Sequence, residues 1–315
     1  MSNFNIDKEQ LTTRFTSNDP IFANEYFISV QYKQYNAFKY VCVFELFDLI
    51  QLGLENPLIN VNCEANNESA LSLALSKNSK EVCTILLNSG RIEFTKPSNI
   101  PYFIIACKNS DIDVIKILLN HPMIDPNEQS ASNDNDTALM TLYHNTRDDT
   151  STKEIISLLL DDPRIDFTLV NDYKENVFIV ACTGIFEYIN LLIDHPDFRL
   201  DLNERNIYGQ TGFFRACQWT NNNNNKYRQF IISLIENPDI DINLPNLNGV
   251  TPFMIACHNC NNDIIDILME CDKIDKTLTD NDGLTGFDHV FGAKLQLARK
   301  MYKYSEDMLL YAIKK

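Results

Sequence analysis

The residues best suited to chemistry in this sequence are the two cysteines of the stretch Cys257-His258-Asn259-Cys260. Two thiolates at this spacing occur both in zinc sites and in redox-active cysteine pairs. A structural zinc site needs four ligands, however, and the sequence contains no second cysteine pair at this spacing. A metal-dependent or redox-active protein centred on Cys257 and Cys260 is therefore kept as the alternative interpretation.

Other residues with familiar spacings favour structural roles. The stretch Asp280-Asn281-Asp282-Gly283 resembles the start of a calcium loop, but Phe291 stands where the loop needs its glutamate. His121 and His195 each precede a proline at a predicted helix end, where a cation would meet the helix dipole. The sequence lacks the phosphate-loop, HExxH and GxSxG motifs. It therefore predicts no catalytic site, no metal and no cofactor.

The composition indicates a folded protein inside the cell. Hydrophobic residues make up 44% of the chain, and charged residues make up 22%. No window approaches the roughly 18 consecutive apolar residues of a membrane helix. Residues 1–15 lack the basic start and apolar run of a secretory signal. The nine cysteines are odd in number and widely spread, which favours reduced thiols. We expect a cytoplasmic protein.

The net charge limits the classes of partner. Lys and Arg total 27 against 43 Asp and Glu, which gives a formal charge of −16. Such a chain repels phosphate backbones unless its basic residues are concentrated in one patch, and the sequence shows no such patch. We therefore expect neither nucleic acid nor membrane as a partner. Acidity favours a basic protein partner through the association rate, and we expect the chain itself to be a monomer.

A short pattern recurs along the chain. TPFMIAC at 251–257 has relatives in TGFFRAC at 211–217 and NVFIVAC at 176–182. Aligning the alanine of the pattern gives intervals of 32, 36, 39, 35 and 40 residues. The aligned positions are Ala74, Ala106, Leu142, Ala181, Ala216 and Ala256. A period in this range predicts a stacked array of small units.

Each unit of the array contains two helices and an extended arm. An apolar run with helical spacing follows each aligned position, as in VIKILLNHP at 114–122 and FIISLIENP at 230–238. Proline closes several of these runs because it cannot continue the helical hydrogen-bond ladder. An extended piece such as IDPN at 124–127 or IDIN at 240–243 comes next, and a polar turn follows it.

These residues resemble the ankyrin-repeat family, whose unit runs roughly D-x-x-G-x-T-P-L-H-x-A-A, V-x-x-L-L and D-V-N. The best match is residues 246–278, which begin NLNGVTPFMIAC. The resemblance covers about residues 40 to 290. It implies an all-α repeat solenoid of stacked ankyrin repeats, with about seven to eight units including degenerate caps.

The resemblance also predicts a division of the chain. Residues 1–62 are expected to form an N-terminal segment and degenerate capping repeat, 63–278 six repeats, and 279–315 a C-terminal capping repeat. Within the first part, 18–32 and 37–54 are each predicted to be one helix. The amphipathic, charged pattern of 293–315 suits a terminal cap that faces water.

The repeat register assigns roles to special residues. Gly209, Gly249 and Gly283 occupy the tips of the predicted finger turns, where a left-handed conformation is needed. Asn67, Asn99 and Asn135 replace the glycine elsewhere, and asparagine tolerates that conformation best. Lys174 is the exception and should either strain its turn or reshape it.

The same register places Cys257 with three other cysteines, each directly after the aligned alanine. The three are Cys107, Cys182 and Cys217. A small apolar side chain fits between adjacent helices at such a position, so core packing is favoured over metal or redox chemistry.

In the ankyrin family, protein partners dock on the concave strip of finger turns and first-helix ends. The corresponding residues here are Asp172, Tyr173, Glu175, Arg205, Tyr208, Gln210, Gln218, Trp219, Leu247, Asn248, His258 and Asn259. Tyr and Trp dominate binding energy when they fill partner pockets. The resemblance implies a non-catalytic scaffold or adaptor, and an inhibitory subunit of a single partner is a further alternative.

Overall fold

A computed structural model describes most of the chain. The described residues are 8–19, 27–30, 33–63, 68–94, 101–109, 112–144, 150–183, 188–218 and 225–289. The chain divides into two compact units, of which the first contains residues 1–142 and 149–166 and the second contains 143–148 and 167–315. The two units are described in turn.

The first unit begins with a helix and a β-hairpin. Helix α1 spans Lys8–Phe15, and strands β1 (Phe27–Val30) and β2 (Lys33–Asn36) pair antiparallel with Phe27 opposite Asn36. The predicted helix over 18–32 is therefore wrong at residues 27–30, and residues 20–26 lie outside the described part. The stretch FISV is rich in β-branched and aromatic residues, which favour strands.

The predicted single helix over 37–54 is two helices. Helix α2 spans Ala37–Val43, and α3 spans Phe47–Glu55. Between them Glu45 adopts a left-handed φ of 56°, and the Leu46 amide donates to the Val41 carbonyl at 2.9 Å. This is a helix C-cap, and it makes the first repeat a complete helical pair.

The rest of the first unit repeats this helical pair. The elements are α4 (Ala70–Ser76), α5 (Lys80–Asn88), α6 (Tyr102–Asn109), α7 (Ile112–Leu119), a 3-10 turn (Ala131–Asn133), α8 (Ala138–His144), which crosses into the second unit, and α9 (Thr150–Leu160). The first helices α2, α4 and α6 pack side by side, and so do the second helices α5, α7 and α9. Their contact faces form the buried core of this unit.

The second unit has the same construction. Its helices are α10 (Val177–Ala181), α11 (Ile189–Ile193), α12 (Gly212–Gln218), α13 (Asn225–Glu236), α14 (Pro252–His258) and α15 (Asn262–Glu270), and a further helical turn covers 286–289. Helices α10, α12 and α14 form one row, and α13 packs on α15. The predicted all-α repeat architecture is confirmed, apart from the hairpin. Among the described residues, no helix is long and apolar enough to cross a membrane.

Asparagines at the ends of the arms connect successive repeats. Asn203 donates through Nδ2 to the Asp239 carbonyl at 2.8 Å and accepts at Oδ1 from the Asp241 amide at 2.7 Å. Asn243 makes the same two bonds to the backbone of Lys273 and Asp275. Each amide therefore satisfies one donor and one acceptor of the next arm and holds the arms in register.

The finger-turn tips adopt the left-handed conformation that the sequence predicts. Gly209, Gly249 and Gly283 have φ values of 73°, 75° and 75°. Asn135 has φ 57°, as expected, whereas Asn67 and Asn99 lie outside the described residues. Lys174 has φ 56°, so the turn keeps its shape and the lysine backbone carries the strain.

Candidate functional site

Four finger turns of the second unit share one hydrogen-bond pattern. They span 171–175, 206–210, 246–250 and 280–284, and each begins with Asn or Asp. The Oδ1 atom of this first residue accepts the amides two and four residues later, at 2.9 to 3.0 Å. A short polar side chain is the usual means of fixing such a turn. It holds each finger in one conformation.

Backbone hydrogen bonds join each finger to the next. The Ile207 amide donates to the Tyr173 carbonyl at 2.9 Å, and the Leu247 amide donates to the Tyr208 carbonyl at 3.1 Å. The Asn281 amide continues the series with a 3.0 Å bond to the Asn248 carbonyl. The fingers of the second unit therefore stand side by side in a fixed register.

Comparison with known proteins identifies the repeat. The family model described as an ankyrin repeat matches residues 248–274, which contain the end of one finger and the helices α14 and α15. The chain therefore contains an ankyrin repeat. A search of the curated proteins found no match.

The tips of the ankyrin fingers expose a row of apolar side chains. Tyr173 is 38% exposed, Ile207 40%, Tyr208 52% and Leu247 66%. We call these four residues the finger-tip row. Three of them were predicted from the sequence, and Ile207 was missed, although it occupies the same place in its finger as Leu247. A full alignment of finger positions would have found it.

Glu175 and Gln210 belong to the interior of the fingers and not to their surface. Both side chains are buried, and both accept hydrogen bonds from Asn206 Nδ2, at 2.9 Å for Glu175 Oε1 and 3.2 Å for Gln210 Oε1. The sequence analysis predicted both as protein-binding residues, but their buried side chains offer a partner little surface. A carboxylate avoids burial unless it is paired, and here a neighbouring repeat supplies the partner.

Arg215 lies beside this buried cluster and was missed by the sequence analysis. Its Nε is 3.5 Å from Glu175 Oε1, and its Nη1 donates to Gln218 Oε1 at 3.3 Å. The Nε atom is buried without a hydrogen-bond partner among the described residues. The guanidinium thus balances the Glu175 charge at the base of the fingers, one ankyrin repeat away in sequence.

The charged and polar residues beside the finger-tip row are exposed. They include Asp172, Lys174, Arg205 and Asn248. The nearby Glu204 carboxylate accepts a 2.6 Å hydrogen bond from Asn176 Nδ2. Acidic and basic side chains alternate here, so the surroundings of the row are close to neutral although the chain is acidic.

The predicted helix-end residues are partly structural. Asn259 Nδ2 donates to the Gln218 backbone carbonyl at 2.9 Å and so ties α14 to the end of α12. Both residues are half-buried, which limits what they offer a partner. Trp219 lies outside the described residues.

His258 ends α14 and lies against a second histidine. Its ring is 5.7 Å from the ring of His289, at an interplanar angle of 74°. His289 Nε2 is in turn 2.8 Å from Asp280 Oδ2, and Asp280 fixes the last described finger. His258 is the exposed member of this group, next to the last finger.

The Cys257-to-Cys260 stretch is a helix end. The Cys260 amide donates to the Cys257 carbonyl, and Cys260 has a left-handed φ of 53°. Glu45 and Asn78 adopt the same conformation at the ends of α2 and α4, with φ values of 56° and 55°. Cys257 is fully buried, and burial, with a smaller effect of Cys260, raises the pKa of its thiol to about 12. Such a thiol stays protonated near neutral pH and is a poor nucleophile or metal ligand.

In the described part of the chain, no group of three or more His, Cys, Asp or Glu is placed to hold a metal ion. All nine cysteines fall in that part, and all are free thiols.

The histidines before proline act differently from the expectation. His121 Nδ1 accepts the Met123 amide at 3.3 Å, and His195 Nδ1 accepts the Asp197 amide at 3.4 Å. Each Nδ1 atom is thus the acceptor that closes the turn after its helix, and neither ring donates to a helix carbonyl in these two bonds. Asp162 and Asn237 also precede a proline, and their Oδ1 atoms likewise accept the amide two residues later.

Proposed function

We propose that this ankyrin-repeat protein is a non-catalytic scaffold or adaptor that binds a protein partner through the finger-tip row. One observation carries the proposal: the ladder of finger-to-finger hydrogen bonds aligns four exposed apolar side chains of successive repeats. Exposed apolar side chains that are aligned in this way mark an interaction site more often than scattered ones do.

The chemistry of the row defines the kind of surface that it fits. Tyr173 and Tyr208 present large side chains with a hydroxyl, and Ile207 and Leu247 supply aliphatic contacts beside them. Aromatic anchors with a polar rim are typical of interface centres. The partner should therefore offer apolar pockets flanked by both charge signs. The acidity of the whole chain then acts mainly on the association rate.

The rigidity of the row favours a preformed binding site. Each finger is fixed by its own Asn or Asp and by a backbone bond to its neighbour. Residues that are held before binding lose little conformational entropy when the partner docks. The proposal therefore predicts that the free and bound fingers have the same backbone conformation.

The other possibilities have less support. The metal or redox function needs a reactive Cys257, which is buried in the core. An inhibitory subunit would use the same row and differs from an adaptor in the number of partners. We propose a cytoplasmic location, because nine free thiols suit a reducing compartment. The monomer stays a prediction.

The test compares partner capture by wild type with capture by a Tyr208→Ala/Leu247→Ala variant. Removal of two interface anchors should weaken a specific partner at least thirtyfold, or about 2 kcal/mol. The matched control is Met123→Ala/Met269→Ala, which truncates two exposed apolar residues outside the fingers. Circular dichroism confirms that each variant is folded.

The control also decides where binding occurs. If the row is the site, the control variant retains the partner that the finger variant loses. Equal capture by wild type and the finger variant would contradict the proposal. Loss in the control variant alone would move the site to the second helices and arms.

A further inference from the structure

One position of the first helices in the second unit is apolar in α10 and α14 but charged in α12. It directly precedes the aligned alanine and is occupied by Val180, Arg215 and Ile255. Val180 is buried and Ile255 is half-buried, so an apolar side chain satisfies the packing at this position. The guanidinium of Arg215 therefore has no counterpart in these neighbouring helices, and the shared core does not require it.

The contacts of Arg215 use only part of its hydrogen-bonding capacity. Within the described residues, its side chain makes one hydrogen bond, from Nη1 to Gln218 Oε1 at 3.3 Å. Its Nε atom is buried 3.5 Å from Glu175 Oε1 and makes no hydrogen bond there. A guanidinium has five N–H donors, and 30% of this side chain is exposed. Donors on the Nη atoms therefore remain for a group that approaches from solvent.

The guanidinium lies at the base of the fingers that carry Tyr173 and Tyr208. Glu175 ends the finger of Tyr173 and accepts a hydrogen bond from Asn206, which begins the finger of Tyr208. Arg215 contacts Glu175 and so lies where these two fingers join the first helices. A partner segment that packs on the two tyrosines can therefore place a polar side chain against Arg215.

The charges around Arg215 favour an acidic group there. The stretches 171–175 and 204–215 contain three basic and three acidic residues, whereas the whole chain carries −16. Glu175 is the buried acidic residue, so three basic and two acidic side chains remain at the surface of these stretches. Their charges sum to +1. The repulsion of an acidic partner group is therefore smaller here than the net charge of the chain suggests.

We propose that Arg215 is the polar anchor of the binding site and that its Nη atoms donate to a carboxylate, the Asp or Glu side chain of the protein partner. This role of Arg215 rests on the proposed function, because the same partner docks on the finger-tip row. Arginine and carboxylate form charge-assisted and often bidentate hydrogen bonds. A singly charged carboxylate fits better than a doubly charged phosphate, since Glu175 already balances part of the guanidinium charge.

Peptide selection supplies a defined probe. A displayed library of random peptides is selected on the full chain, and the peptides that fail to bind the Tyr208→Ala/Leu247→Ala variant are kept. These peptides should share an Asp or Glu at one position. If they share no acidic position, the role of Arg215 is wrong and the finger-tip proposal stands. If no selected peptide depends on the row, both proposals are wrong.

A double-mutant cycle separates direct contact from a structural role of Arg215. Each selected peptide is compared with its amide form, in which a carboxamide replaces the carboxylate, on wild type and on Arg215→Gln. Wild type should bind the amide form about tenfold or more weakly. Arg215→Gln should bind the two forms within about threefold of each other, since the contact is already lost. A preference for the acidic peptide that persists in Arg215→Gln overturns the proposal, even if both peptides bind more weakly.

Arg228→Gln is the matched control. Arg228 is 35% exposed and lies 3.3 Å from Asp263 on the second helices α13 and α15, so it resembles Arg215 in exposure and pairing. This variant should distinguish the two peptide forms as wild type does. Loss of the distinction would show that long-range charge selects the peptide. A peptide with phosphoserine at the acidic position tests the charge of the group, and binding more than about tenfold tighter than the carboxylate peptide would contradict a carboxylate site.

Discussion

Glu175 Oε1 accepts a 2.9 Å hydrogen bond from Asn206 Nδ2, which links the base of one finger to the base of the next. The same carboxylate oxygen lies 3.5 Å from Arg215 Nε on the first helix of the following repeat. One buried side chain therefore connects two fingers and a helix. Tyr173 and Tyr208 belong to these two fingers, so the Glu175 contacts help to hold the finger-tip row in position.

Glu175→Ala should destabilise the protein by about 1–3 kcal/mol, because it removes one acceptor of Asn206 Nδ2 and the acidic partner of Arg215 in a buried site. Urea unfolding followed by circular dichroism measures the loss. Glu236→Ala removes an exposed glutamate from the end of α13 and should change stability by less than about 0.5 kcal/mol. Equal effects would show that the Glu175 cluster contributes nothing specific.

The finger glycines offer a comparison between strain and crowding. Gly249 and Gly283 both have φ 75°, but an added Cβ at Gly249 would lie 2.8 Å from the Asn281 backbone nitrogen, and one at Gly283 meets nothing within 4 Å. Gly283→Ala should therefore cost about 1–2 kcal/mol from the left-handed backbone alone. Gly249→Ala should cost more, because it also disturbs the Asn281 bond to Asn248.

Thermal unfolding of the two glycine variants gives the difference, and Lys174→Gly provides a check of opposite sign. Lys174 already carries a side chain at φ 56°, so glycine should relieve strain and raise stability by a few tenths to about 1 kcal/mol. If Lys174→Gly is destabilising, the lysine side chain makes a contact that compensates for its backbone.

The helical pairs were predictable because their signal is repeated. The aligned positions Ala74, Ala106, Ala181, Ala216 and Ala256 all lie in buried first helices. A pattern that recurs at similar intervals makes each single assignment less ambiguous. The N-terminal region has no such averaging, and there the hairpin at Phe27–Asn36 and the break at Glu45 were missed. Neither contains a glycine or proline that would indicate a turn.

The site was less predictable than the fold for a physical reason. Exposure of finger residues depends on contacts with the adjacent repeat, which the residue itself does not reveal. Glu175 and Tyr173 belong to one finger, yet Glu175 is buried and bonded to Asn206 of the next finger, whereas Tyr173 is exposed. Sequence position therefore located the finger turns and could not separate the residues inside them from those at their tips.

Thiol labelling distinguishes the scaffold from the redox alternative. Cys63, Cys260 and Cys271 are half-buried, whereas the other six cysteines are buried. Burial raises the pKa of Cys107, Cys182, Cys217 and Cys257. Alkylation of the native protein at about pH 8 should therefore modify the three half-buried thiols first. Mass spectrometry after tryptic digestion reports the order, and labelling of Cys257 as fast as Cys260 would contradict the core assignment.

The stability of the last described finger should depend on pH because of Asp280. Burial raises the pKa of Asp280, but bonds from the Leu284 amide, the His289 ring and the Asp282 amide outweigh it, so its pKa lies below the ordinary 3.8. A group with a lowered folded-state pKa stabilises the protein above its unfolded pKa. This contribution is lost as the pH falls through the folded-state value.

Asp280→Asn should therefore flatten the pH dependence of stability below about pH 4 relative to wild type. Asparagine can fix the turn, since Asn171, Asn206 and Asn246 do so in the other fingers. The measurement is the urea midpoint at several pH values between about 7 and 2.5. Asp282→Asn removes the same charge from the same turn without touching His289 and is the control. Parallel pH profiles for wild type and Asp280→Asn would mean that the carboxylate bonds to Leu284 and His289 do not stabilise the folded protein.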